Sequence, residues 1–100
     1  MSQQTQNATR TITQIKYPDR FNVMLINDDF TPMEFVIQLL VEVFNQSIEE
    51  AKEIMVKVHE EGKAIAGSYG LEIAEQKQAE STIIARHHGH PLKVIIEKVE

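Results

Sequence analysis

One hundred residues make one small domain, enough for a single core and too few for two. Its apolar share of 42% and formal charge of −5 describe an ordinary acidic globular chain. Nowhere does an apolar run approach the roughly 18 residues of a membrane span, and the scattered lysines and arginines speak against nucleic-acid binding. The absence of cysteine excludes a disulfide, a thiolate zinc site and a thiol nucleophile. A cytoplasmic location fits that absence, and the N-terminus reads as neither a secretory signal nor an Arg-rich transit peptide. The acidic balance suits a cationic ligand.

Residues 1–16 are rich in Gln and Thr, with only Ile12 and Ile15 to bury, and read as a flexible tail. The alternation Thr11-Ile12-Thr13-Gln14-Ile15 leaves a strand as the alternative. Residues 17–100 form the expected domain. Phe21 to about Ile26 is a strand apolar on both faces, hence central in a small sheet. Thr31 and Glu34 have capping-box spacing, with Pro32 at the first position of a helix reaching about Asn45. That helix is apolar all round except for a stripe of Glu34, Gln38, Glu42 and Asn45, so it must be covered on more than one side.

Ser47 and Glu50 form a second capping box, starting a helix that ends before Gly62. Its apolar stripe is Ile48, Ala51, Ile54, Met55 and Val58, and His59 stands at the edge of that stripe. The short Asn45-Gln46 link makes the two helices a hairpin. Lys63 to Ser68 reads as a short strand. Leu71 to Arg86 is a helix with a weak apolar pattern of Leu71, Ile73, Ala74, Ala79, Ile83 and Ile84, stopped by Gly89 and Pro91. Leu92 to Val99 closes the chain as a strand. The order β-α-α-β-α-β predicts an α+β fold, a small antiparallel three-stranded sheet packed with three helices.

Catalytic signatures are missing. No serine lies in a nucleophile elbow, and Asp28 and Asp29, adjacent on extended backbone, point apart, so the chain does not read as an enzyme. His87, His88 and His90 invite a zinc reading but lack a fixed carboxylate or cysteine partner, and no metal or other cofactor is expected. Asn27 and Asp29, at i and i+2, face one way if the strand persists, and His59 can reach them across the hairpin. Three acceptor-bearing groups suit an ammonium ion. Met33, Val36, Met55 and Val58 would make an apolar recess beside them, and ammonium next to apolar side chain describes an amino acid with a free α-amino group. A plain turn at Asn27 and Asp28, with methionines in the core, explains the same spacing.

The run Val23-Met24-Leu25-Ile26-Asn27-Asp28-Asp29-Phe30-Thr31-Pro32-Met33-Glu34-Phe35-Val36 closely resembles the signature of the ClpS family, adaptors of the ATP-dependent Clp protease. The resemblance continues through Ala51, Met55, Val58-His59, Gly62-Lys63-Ala64-Ile65, Gly67, Glu72, Ala74-Glu75, Lys77 and His90-Pro91-Leu92, and spans about residues 17–99. It implies an N-degron receptor that binds proteins beginning with Leu, Phe, Tyr or Trp and passes them to the N-terminal domain of a Clp unfoldase. By the same resemblance, Asn27, Asp29 and His59 match residues that hold the α-amino group; Asp28, in the same loop, is expected to join them, and Thr31 of that loop to join the side-chain pocket. Met33, Val36, Met55, Val58 and Leu92 match the side-chain pocket, Met33 as its gate against β-branched residues. Glu72 and Lys77 match unfoldase contacts, the tail matches by position a segment engaged during delivery, and nothing in the adaptor role requires self-association. Gly70 departs from the family in place of a hydroxyl helix cap. Two alternatives stand beside this reading: an unfoldase-binding regulator that ignores protein N-termini, and a His-rich metal-binding domain.

Overall fold

Apolar side chains on both faces of a strand require neighbours on both edges and cover on both sides. Strand β1 (Phe21–Ile26) has both neighbours, lying between β2 (Lys63–Tyr69) and β3 (Lys93–Lys98) in the order β2-β1-β3 and antiparallel to each. The computed structural model describes residues 18–100, so the tail expected at residues 1–16 lies outside the described residues. Val23 and Leu25 of β1 are fully buried and meet the helical layer, joined by Ala64 and Ala66 of β2 and Val94 of β3. Met24, on the other face, pairs with Ile65 and Ile95. The register slips by one residue between Val23 and Met24, a bulge that lets β2 take one residue more than its partner. Past it, Tyr69 lays its ring over Gly67, where a Cβ would run into the ring.

Helix α1 (Met33–Glu42) ends three residues earlier than the sequence suggested. Val43 and Phe44 still donate to Leu39 and Leu40 and are buried, but Asn45 takes a left-handed conformation (φ 56°) that no helix continues through. That residue turns the chain into α2 (Ile48–Glu61). Here the capping box is formed in full, Ser47 accepting from the Glu50 N–H while the Glu50 carboxylate accepts from the Ser47 N–H. Gly62 ends the helix at φ 88°, a left-handed turn that glycine adopts without steric cost. Ala51, Met55 and Val58 are buried and Ile54 is half-buried; Ile48 is exposed, one turn too early to reach the core.

Helix α3 (Leu71–His87) follows Gly70 without any side-chain cap. Its larger apolar residues are mostly not its core face. Leu71, Ile73 and Ile83 are exposed, whereas Ala74, Ser81 and Ala85 are buried, small side chains that let the helix lie close on the sheet. The Ser81 hydroxyl, fully buried, donates to the Lys77 carbonyl at 2.7 Å. The Gln78 amide donates to the Val94 carbonyl of β3, and the Lys77 ammonium to the Val43 carbonyl after α1. Polar side chains thus tie α3 to its neighbours where a wider apolar stripe is lacking.

Candidate functional site

Strand β1 stops at Ile26, and the next residue is fixed by a main-chain bond, Asn27 N–H donating to the Gly62 carbonyl at 2.8 Å. The loop that follows is therefore seated on the C-terminal end of α2, where Val58 and His59 occupy the last turn. Proximity of Asn27 to this end of α2 comes from that bond and not from a continuing strand; the i, i+2 alternation expected of Asn27 and Asp29 does not apply, because Asp29 and Phe30 lie in a bend. Asp29 and His59 are exposed and Asn27 half-exposed, so all three present polar atoms toward solvent.

Asp28 is committed to the loop itself. Its carboxylate accepts from the Phe30 N–H at 2.8 Å, the Thr31 N–H at 2.7 Å and the Thr31 hydroxyl at 2.7 Å. Burial alone would raise its pKa, but these bonds from Thr31 and Phe30, together with the positive charge of Arg86, outweigh burial and hold the carboxyl below its ordinary range. The Thr31–Glu34 capping box is not formed. Thr31 spends its hydroxyl on Asp28, and the N-cap of α1 is Pro32, with no side-chain bond, one position before the place expected for it. The same spacing serves to lock the loop instead of the helix. With its backbone pinned this way, Phe30 projects its ring into solvent, 80% exposed.

Val36 of α1, Met55 and Val58 of α2 and Leu92 before β3 each expose 4% or less and belong to one buried cluster. Met33 differs from them: at the first position of α1 it is 51% exposed. Exposed acceptors at Asp29 and His59, a half-exposed amide at Asn27 and an exposed thioether at Met33 are group types that suit a cation joined to an apolar group.

Leu92 is placed by a residue the sequence did not single out. Arg86, in the last turn of α3, donates from Nη1 to the Leu92 carbonyl at 2.7 Å and to the His90 carbonyl at 3.0 Å. The only signal available in the sequence was a cation at a helix C-terminus, a common arrangement. The histidines also have a packing role: the Phe35 ring of α1 lies 4.6 Å from His90 and 5.4 Å from His88 between ring centres, and the His88 ring bonds the Ile84 carbonyl through Nδ1. Among the described residues no cluster of three or more histidines and carboxylates has metal-binding geometry.

A shallow groove of about 390 Å³ lies along α1, between Pro32, Phe35, Leu39 and Glu42 and the Ile84 and His88 side chains. It includes none of Asn27, Asp29, His59, Val36, Met55, Val58 or Leu92, and its rim is acidic with a single histidine. Glu72 stands exposed in the first turn of α3, and Lys77, half-exposed, keeps two of its three ammonium protons beyond the Val43 bond. No described helix is long and apolar enough to cross a membrane.

Residues 16–95 match the family described as ATP-dependent Clp protease adaptor protein ClpS. The chain is 51% identical over 87 residues to the Clp protease adapter protein ClpS of Vibrio atlanticus, covering 87% of this chain and 82% of that one. It is 46% identical over 91 residues to the same adapter of Hyphomonas neptunium, covering 91% and 77%. The fold is similar to the solved structure of Agrobacterium tumefaciens ClpS2 bound to L-phenylalaninamide, with a TM-score of 0.80 and 36% identity over 83% of this chain and 100% of that one.

Proposed function

The chain belongs to the ClpS family of ATP-dependent Clp protease adaptors, and from that premise we propose that it captures proteins by a free, bulky apolar N-terminal residue and delivers them to a Clp unfoldase. The observation that supports this reading is the Asn27–Gly62 bond, which joins the polar loop to the end of α2, the helix that carries Met55, Val58 and His59. Asn27, Asp29 and His59 hold the α-amino group, Asp29 supplying the charge. Asp28 and Thr31 keep the loop in shape. The side chain of the first residue goes past Met33 to a floor of Val36, Met55, Val58 and Leu92. A similar fold binding phenylalaninamide, a free amine attached to a phenyl side chain, supports this division.

The energetics suit it. Capture of an N-terminal amine is an established mode of peptide recognition. Acetylation removes the charge and donors, and an unpaired partly buried acceptor costs roughly 1 to 3 kcal/mol, so an acetylated ligand binds about fivefold to more than a hundredfold more weakly. Burying a Leu or Phe side chain contributes roughly 1.5 to 3 kcal/mol, which an N-terminal Ala forgoes. Glu72 and Lys77, with the start of α3, contact the N-terminal domain of the unfoldase. The protein acts as a cytoplasmic monomeric adaptor and not as a catalyst, residues 17–100 forming its working domain and residues 1–16 a tail used in delivery.

Fluorescence anisotropy with a labelled peptide bearing a free N-terminal Leu or Phe, beside its acetylated twin, tests the reading. Saturable binding of the free peptide alone is expected. Equal binding of both, or of neither while the Clp N-domain is still bound, refutes it and favours a regulator blind to N-termini.

A further inference from the structure

We infer that Arg86 is a positioning residue for this receptor, gripping the His90 and Leu92 carbonyls so that Leu92 is held at the floor of the side-chain pocket. The inference rests on the proposed reading of that pocket. A cation in the last turn of a helix ordinarily answers the carbonyls of its own helix. Arg86 instead reaches beyond it. The α3 helix closes with the His88 and His90 N–H groups donating to Ala85, and the Gly89 N–H to Arg86. Gly89, at φ 76°, reverses the chain. Residues 90–92 then run back toward β3 without a ladder partner until Lys93, and the two bonds from Arg86 Nη1 fall within that gap.

The two accepted carbonyls flank Pro91, which has no N–H and cannot bond itself into place. Leu92 is nearly fully buried, so its side chain has one position only as long as its backbone has one. On the other side, His90 packs its ring edge against Phe35, which lies one residue before Val36 of the same floor. One guanidinium therefore fixes the turn that carries Leu92 and, through His90 and Phe35, the approach of α1. Its charge also acts on Asp28, the residue that locks the amine-binding loop.

The test compares Arg86→Met, which keeps the aliphatic stem and removes donors and charge, with Arg86→Lys, which keeps the charge but is shorter. Affinities are measured for two peptides differing only in an N-terminal Leu or Ala, alongside the melting temperature. Arg86→Met is expected to lower the Leu-to-Ala affinity ratio by at least about fourfold, the equivalent of one buried methylene. Arg86→Lys is expected to recover part of that ratio. An unchanged ratio in Arg86→Met, or equal losses for both peptides that follow the melting temperature, overturns the inference and leaves Arg86 a structural cap. If Arg86→Met does not fold, Arg86→Lys decides: a reduced ratio at an unchanged melting temperature supports positioning, and a wild-type ratio overturns it. Failure of the wild-type protein itself to prefer Leu over Ala would instead refute the pocket on which the inference rests.

Discussion

Replacing Asp28 with Ala isolates the difference between holding a loop and holding a ligand. The wild-type carboxylate accepts three hydrogen bonds, all within four residues of chain. Fully buried charge-assisted bonds are worth roughly 1.5 to 3 kcal/mol each, but this carboxylate is half-exposed and water competes, so about 0.7 kcal/mol each is a better scale and about 2 kcal/mol the total. If the unlocked loop must re-form on binding, that loss enters affinity directly and corresponds to roughly a thirtyfold rise in Kd for a free N-terminal Leu peptide. The melting temperature should fall little, because the loop can open without exposing the core. Asp28→Asn, with one carbonyl oxygen left to accept, should lie between. Anisotropy and a thermal melt measure both quantities. Wild-type affinity in Asp28→Ala would show that the three bonds do not preorganise the site, and a large drop in melting temperature with unchanged affinity would assign them to the fold alone. The same lock has an acid limit. Because the folded carboxyl lies below its ordinary value, its contribution is complete above about pH 3.9 and is lost as pH falls through the folded value.

Asp29→Ala should abolish the preference for a free over an acetylated N-terminus, while Glu53→Ala, on the solvent face of α2, should leave both affinities unchanged. Leu92→Ala removes a nearly fully buried side chain and should destabilise the domain by about 2 to 5 kcal/mol in chemical denaturation, a smaller loss marking a site that collapses. Gly67→Ala pushes a methyl group into the Tyr69 ring and should cost about 1 to 3 kcal/mol, and a second change, Tyr69→Ala, should relieve much of that clash; undiminished stability in the single variant would mean the ring moves freely aside. Each kcal/mol corresponds to about 4 to 8 °C in melting temperature for a domain of this size.

Much of the fold was legible because the signals were local. The central position of β1 follows from an apolar run without alternation, and both ends of α2 from Ser47, Glu50 and Gly62, whose chemistry acts within a few residues. The end of α1 is not legible in the sequence, because hydrophobic period continues through Val43 and Phe44 while the backbone turn at Asn45 leaves no mark in that period. The face of α3 left a weaker mark: a pattern that mixes Leu71, Ile73, Ala74, Ala79, Ile83 and Ile84 does not say which of them lie inside, and a helix lying close on a sheet buries its Ala74, Ser81 and Ala85 and leaves Leu71, Ile73 and Ile83 outside.

At the site itself, the sequence by itself determined which groups are available: an Asn-Asp-Asp run after a strand, a capping-type spacing, a histidine in the last turn of α2 and apolar residues at helical intervals. These are matters of residue type and short spacing. What only the tertiary structure decided is which of them bind one another. Asp28 and Thr31 satisfy each other and so form the frame, while Asp29 is left exposed. Asn27 reaches α2 through a main-chain bond that no side-chain pattern encodes. Arg86 reaches carbonyls four and six residues on, around a glycine turn whose geometry exists only once α3 has packed. Hydrogen bonds to backbone depend on where distant segments lie, and the carbonyls that accept them are the same in every residue; the sequence names the donors and the fold chooses their partners.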